Sequence, residues 1–181
     1  MNDQALAFYN AYLHGEKRAL EQLVTLESDN LIRFAYLYVR DSAVAEDIAE
    51  DVFVTLIVKR KPFEERAKFR TYLFKIARNK CLDYLRRNAK KVPLQDVETV
   101  LQAPSFEQTI EDKENNRTLY LALAQLPKQY REVLHLNYFE ELSVPEICAV
   151  TKQTAKQVYN LLSRAKLSLK QELTKYGVTT L

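Results

Sequence analysis

Residues 69–87 read FRTYLFKIARNKCLDYLRR. Phe69, Leu73, Ile76, Ala77, Cys81 and Leu85 recur at three- and four-residue spacing, which places them on one stripe of a helix running from near Lys68 to Arg87. The opposite side is basic: Lys75, Arg78, Asn79 and Arg86 lie close enough in angle to make one polar face suited to phosphate. Residues 59–91 together hold thirteen Lys or Arg against three acids, interleaved with Phe63, Phe69, Tyr72, Phe74 and Tyr84. Charge and aromatic faces in combination bind unpaired nucleic acid, by backbone attraction and by base stacking. Phe69 belongs to the apolar stripe and is expected in the core, which leaves Tyr72 and the loop at 62–67 as the places to meet bases.

Upstream, Asp41 and Ser42 signal the start of a long helix that reaches about Arg60 and buries Val44, Ile48, Val52, Phe53 and Leu56. Glu46, Asp47, Glu50 and Asp51 face outward, and residues 41–51 contain five carboxylates and no base. A run of surface carboxylates is usually a solvated helix face. Beside a basic nucleic-acid surface it is also a docking site for a basic protein. Pro62 ends this helix. A preceding helix is expected from about Asn30 to Val39, with Leu31, Phe34, Ala35 and Tyr38 on one face. Two more are signalled by Leu6, Tyr9, Leu13 and by Leu20, Leu23, Val24, with Gly15 as the break between them.

Downstream, periodicity fails from Asn88 to about Phe106, Pro93 and Pro104 appear, and residues 95–114 carry six acids against one lysine. This is the composition of a linker. A second set of helices follows, broken at Leu126-Pro127 and restarting at Ser143. There Ser143-Val144-Pro145-Glu146 has capping-box spacing with proline in the first turn. Thr151 to Gln153 make a short connection into a helix that starts near Thr154. Helix, tight turn and longer basic helix is the pattern of a helix-turn-helix. By itself the pattern also fits hairpins that never touch DNA. Charge favours DNA, because residues 152–176 contain six Lys or Arg and one acid. Lys152, Lys156, Arg164 and Lys166 are placed to neutralise phosphates. Gln157, Tyr159, Asn160 and Ser163 are of types that hydrogen-bond base edges.

Among 181 residues there are only 2 glycines and 5 prolines, too few turn signals for hairpins, while helix formers abound. The expected fold is therefore all-α, two small helical domains joined by an acidic linker. The formal charge of +3 says little about partners; its block-wise distribution says more. Cys81 and Cys148 sit inside apolar helical patterns far apart and read as buried, reduced thiols. No apolar stretch is long enough to cross a bilayer, and the N-terminus MNDQALAFYNAYLHGEKR has no signal-peptide core, so a cytoplasmic protein without membrane insertion is expected. An enzyme has little support: His14 and His135 are far apart, no glycine-rich phosphate loop exists, and no Cys/His cluster has metal-ligand spacing. No catalytic residue, cofactor or metal is expected, and His135 reads as a packed or solvated helix residue.

The segment AEDIAEDVFVTLI (residues 45–57) followed by FRTYLFKIARNKCLDYLRR resembles the second domain of bacterial RNA polymerase sigma factors. The run from LPKQYREVLHLNYFEELSVPEI (residues 126–147) to QVYNLLSRAKLSLK (residues 157–170) resembles their fourth domain. With only a short linker between the two, the chain resembles the compact extracytoplasmic function (ECF) subfamily of the sigma-70 family. The resemblance implies region 2 at residues 1–90, a linker at 91–110 and region 4 at 111–181. It implies that Asp47, Glu50 and Asp51 dock on core RNA polymerase. Lys68, Arg70, Tyr72, Lys75, Arg78, Asn79 and Arg86 would meet the minus-10 element, and Lys152, Lys156, Gln157, Tyr159, Asn160, Ser163 and Arg164 the minus-35 element. The family's pattern usually has glutamine at the position of Glu50, tryptophan at Tyr72 and a turn glycine at Lys152. Relatives thread the acidic linker through the polymerase cleft and are commonly restrained by an anti-sigma factor, so both are implied partners. Two other readings compete: a stand-alone helix-turn-helix regulator that binds duplex operator by itself, and a purely protein-binding module.

Overall fold

The computed structural model describes residues 3–63, 68–88 and 110–178. Among them the regular elements are helices: α1 (Gln4–Leu13), α2 (Lys17–Val39), α3 (Ser42–Lys59), α4 (Phe69–Arg87), α5 (Ile110–Gln125), α6 (Lys128–Leu134), a π-helical turn (His135–Phe139), α7 (Val144–Thr151) and α8 (Ala155–Lys175). Residues 91–109 of the expected linker and 64–67 of the loop lie outside the described residues.

Local chemistry sets the helix ends. The Asp3 carboxylate accepts the Leu6 N–H at 3.2 Å and starts α1, and Asp41 does the same for α3 through Val44 at 3.1 Å. Gly15 at φ +103 makes the turn into α2, a conformation that an L side chain would strain. Arg40 and Arg60 take left-handed φ values of 53 and 39 and close α2 and α3, each N–H donating to the carbonyl four residues back. The separate helix expected to begin at Asn30 is instead the second half of α2. Leu23, Glu27, Leu31 and Phe34 fall on one buried stripe that continues through the polar stretch, and the Asn30 side chain accepts from Arg33 instead of capping a new helix.

α2 is the axis of the first half, with α1, α3 and α4 packed around it. Its Phe34 ring meets the edge of Phe74 on α4 at 5.2 Å and 85°, and Leu23, Leu31, Phe69, Leu73 and Cys81 are fully buried beside them. Each such apolar side chain contributes roughly 1.5–3 kcal/mol by leaving water. In the second half α6, α7 and α8 enclose Leu134, Leu136, Ile147 and Val158. α7 also packs on α4 and α6 on α2, so the apolar core runs unbroken from one half into the other. Cys81 is buried as expected, whereas Cys148 is only half-buried; both are free thiols.

Candidate nucleic-acid and protein-docking surfaces

A capping box starts each of α7 and α8. Ser143 donates its N–H and hydroxyl to the Glu146 carboxylate at 2.8 and 2.5 Å, and the Thr154 N–H donates to Gln157 Oε1 at 2.8 Å while its hydroxyl accepts the Gln157 N–H at 3.3 Å. Lys152 turns the chain between them in the left-handed region, φ 60. Val158, Leu162 and Ala165 seat α8 on its own half, and Lys156, Gln157, Tyr159, Asn160, Ser163 and Arg164 all lie on the opposite, exposed side, with Lys152 exposed at the turn. All seven of the expected minus-35 residues therefore share one solvent-facing surface. Gln157 has its side-chain oxygen engaged in the cap, so only its amide N–H groups are available to a base edge.

The α4 face is different, because the second half of the chain covers much of it. The Arg70 Nε donates to Glu27 on α2 at 3.0 Å, and its Nη2 to Glu140, just beyond the π-turn, at 2.7 Å. The Arg78 Nε meets Glu132 on α6 at 2.5 Å, and the Lys68 Nζ meets Glu146 on α7 at 3.1 Å. Lys75 and Asn79 are half-buried on the same helix. Arg86, near its far end, stays exposed beside Asp83 at 3.3 Å. Sequence reasoning named the cations and missed their carboxylates. For Glu27 a signal existed: it stands on the apolar stripe of α2, four residues from both Leu23 and Leu31. Glu132 and Glu140 pair across 54 and 70 residues and leave no local trace.

The electrostatics follow from burial. Burial pushes the Glu27 carboxyl above its ordinary range against the pull of Arg70. Burial opposes the charge on Arg78, yet Glu132 outweighs it and holds the guanidinium more firmly protonated than usual. At Glu146 burial pushes upward, but hydrogen bonds from Ser143 and the ion pair with Lys68 bring the carboxyl below its ordinary value. Arg131 is pushed down to about 10 by burial and by its neighbour Arg40. Both arginines donate to the Ala124 carbonyl, near the C-terminal end of α5, where the helix dipole supplies negative charge. His135, against Phe34 at 5.8 Å and Phe139 at 5.3 Å, is a packed residue.

At the start of α4, Phe63, Phe69 and Tyr72 form an aromatic cluster with ring centres 5.2–6.2 Å apart, and Tyr9 stacks on Phe69 at 4.9 Å. Phe69 is buried, as expected, and Tyr72 is half-buried with one side toward solvent. Asp3 caps the helix from α1, accepting the Phe69 N–H at 2.7 Å, and Tyr9 donates to the Lys61 carbonyl at 2.9 Å. On α3, Asp47, Glu50 and Asp51 are exposed, with Lys80 at 3.1 Å from Asp51. They continue at helical spacing into Val54, Ile57 and Val58, which are 50%, 40% and 76% exposed. This acidic and apolar stripe is broader than the acidic face read from sequence.

Two family models match the chain, sigma-70 region 2 at residues 23–91 and sigma-70 region 4 at residues 116–169. The ECF RNA polymerase sigma factor RpoE of Cereibacter sphaeroides is 31% identical over 130 residues, covering 69% of this chain and 68% of that protein. The chain belongs to the ECF subfamily of the sigma-70 family. The ECF sigma factor SigM of Bacillus subtilis is 26% identical over 157 residues, covering 83% of this chain and 93% of that one. Among solved structures, sigma factor RpoE from Bartonella quintana, in complex with the anti-sigma factor NepR, shares the fold at TM-score 0.70 with 21% identity, over 85% of this chain and 96% of that one. CnrH, in complex with the cytosolic domain of CnrY, does so at 0.67 and 24% identity, over 95% and 98%. Sigma factors are DNA-binding initiation factors that direct RNA polymerase to promoters, and with region 2 and region 4 in one chain the stand-alone regulator is not favoured. Among the described residues no helix of this sigma factor is long and apolar enough to cross a membrane.

Proposed function

We propose that this sigma factor acts in the cytoplasm, without enzymatic activity, and divides its work among three surfaces. Asp47, Glu50 and Asp51, extended by Val54, Ile57 and Val58, dock on core RNA polymerase. Lys68, Arg70, Tyr72, Lys75, Arg78, Asn79 and Arg86 meet the minus-10 element: the cations hold phosphates, and Tyr72, beside Phe63, offers a stacking face. Lys152, Lys156, Gln157, Tyr159, Asn160, Ser163 and Arg164 meet the duplex minus-35 element in the major groove. Region 2 spans residues 1–90 and region 4 spans 111–181, with the acidic linker of 91–110 between them. An anti-sigma factor is the further partner, by likeness to the Bartonella quintana protein that NepR holds.

The observation that carries this reading is the segregation of charge: acids and apolar residues gather on the exposed stripe of α3, which meets α4 at the Lys80–Asp51 pair, while cations gather on α4 and on the exposed side of α8. Reversing charge at Asp47 and Asp51 to lysine is expected to weaken the complex with core polymerase at least about tenfold, since these carboxylates are exposed and meet a basic partner. Substituting Lys156 and Arg164 by alanine is expected to leave core binding intact and to reduce initiation at minus-35-dependent promoters. Unchanged core affinity in the first variant returns the α3 stripe to a solvated face.

A further inference from the structure

Two helices of the second half begin with the same capping box but fill it differently. In α7 a carboxylate closes the box: Glu146 accepts the Ser143 N–H at 2.8 Å, and its side chain is 11% exposed and paired with Lys68. In α8 an amide closes it: Gln157 Oε1 accepts the Thr154 N–H at 2.8 Å and the Thr154 hydroxyl at 3.0 Å, on the exposed side of the helix. A backbone N–H only donates, so the amide oxygen is the atom that must face Thr154, and the amide nitrogen is turned away. Helix stability alone favours glutamate here, since a carboxylate in the first turn also meets the helix dipole. The first turn of α8 nevertheless has no acid. What the amide supplies and a carboxylate lacks is a pair of N–H donors at the start of the helix.

In a helix-turn-helix the first residues of the second helix meet base edges in the major groove. A glutamine with both amide faces free pairs with adenine, donating to N7 and accepting from N6. Gln157 has already committed its oxygen to Thr154, and leaving the cap would orphan the Thr154 N–H. We propose that Gln157 is a specificity-determining residue: at one position of the minus-35 element it selects a keto base, guanine or thymine, over an amino base, adenine or cytosine. Guanine O6 and thymine O4 accept from the free amide N–H, whereas adenine N6 and cytosine N4 set a donor against a donor. This rests on the reading of α8 as the minus-35 helix. Asn160, three residues on and also exposed, carries no such tie among the described residues and keeps both amide faces for a base.

The test uses the full chain with core RNA polymerase on a promoter that responds to it, with the base pairs of the minus-35 element randomised and the transcripts counted by sequencing. Wild type is expected to favour a keto over an amino base at one position by about tenfold. Gln157→Glu is the decisive variant, because glutamate closes the cap as Glu146 does in α7 while offering acceptors only. It is expected to keep its helicity by circular dichroism and to invert the preference at that one position, amino over keto by about tenfold, with the pattern elsewhere unchanged. No keto preference in wild type, or a Gln157→Glu chain that keeps the wild-type pattern, overturns the proposal. Loss of output on every sequence alike, with the pattern kept, overturns it too, since the residue then acts on phosphates or on folding and not on a base. The Lys156→Ala, Arg164→Ala chain separates the failures. If it weakens initiation across the library, the minus-35 reading of α8 stands and the base selection falls alone; if it initiates like wild type, that reading falls as well.

Discussion

Replacing Arg78 by alanine and Glu132 by alanine, singly and together, measures what the seam between α4 and α6 contributes to the free protein. The two groups are 2.5 Å apart and their side chains are 15% and 7% exposed, so neither is a surface ion pair. Two unit charges whose centres lie about 4 Å apart attract by about 4 kcal/mol at an effective dielectric near 20, and most of that is offset by the cost of dehydrating both. Removing Arg78 alone leaves Glu132 buried beside Tyr38 without its ion-pair partner, with the Lys128 ammonium as a remaining cationic neighbour. That single change is expected to destabilise by about 2–3 kcal/mol, less than a fully buried pair would lose because the seam can part and let water reach the carboxylate. Removing both partners takes away the orphaned charge, so the double variant should recover part of the loss, with a coupling energy of about 1.5–2 kcal/mol. Urea unfolding followed by far-ultraviolet circular dichroism gives each value. Arg86→Ala is the internal comparison, since that side chain is 78% exposed and should change stability by less than about 0.5 kcal/mol. Additive losses at Arg78 and Glu132, with coupling below about 0.5 kcal/mol, would refute the seam as an energetic unit.

Three further outcomes are expected. Burial pushes the Cys81 thiol up to about 12, while Cys148 is only half-buried, so iodoacetamide near pH 8 should alkylate Cys148 first and leave Cys81 untouched until the chain unfolds; early loss of both thiols in a quantitative mass assay counts against the packing of α4. The folded pKa of Glu146 lies below its unfolded value of 4.5, so its stabilising contribution is present above that pH and is lost as pH falls through the lower, folded value; the difference in urea midpoint between wild type and Glu146→Gln should shrink below about pH 4.5, and a difference that grows there contradicts the sign. Thr154→Ala removes the hydroxyl that accepts the Gln157 N–H and should cost about 1 kcal/mol in chemical denaturation, with no cost meaning that the α8 cap is idle.

Much of the architecture is legible in short-range pattern. The apolar stripe of α4, the caps of α3, α7 and α8 and the exposed side of α8 all follow from three- and four-residue spacing and from residues such as Asp41, Ser143 and Thr154 that bind their own backbone. Local pattern misled at Asn30, where a separate helix is expected to begin; tertiary burial of Leu31 and Phe34 carries α2 straight through it. The seam is illegible for a different reason. A stripe of cations on α4 reads the same whether solvent, DNA or another part of the chain lies opposite, and what lies opposite here is brought from beyond a linker by packing of α7 on α4. Only Glu27, a carboxylate on an apolar stripe, hints from sequence that Arg70 has a partner within the protein.

Run-off transcription with core RNA polymerase, with and without this protein, on a pool of genomic promoter fragments addresses the central claim directly. Discrete start sites that appear only when the protein is added, and that the Lys156→Ala, Arg164→Ala chain supports more weakly, are the result predicted here. No new start sites, from a chain that also fails to bind core polymerase, would contradict it.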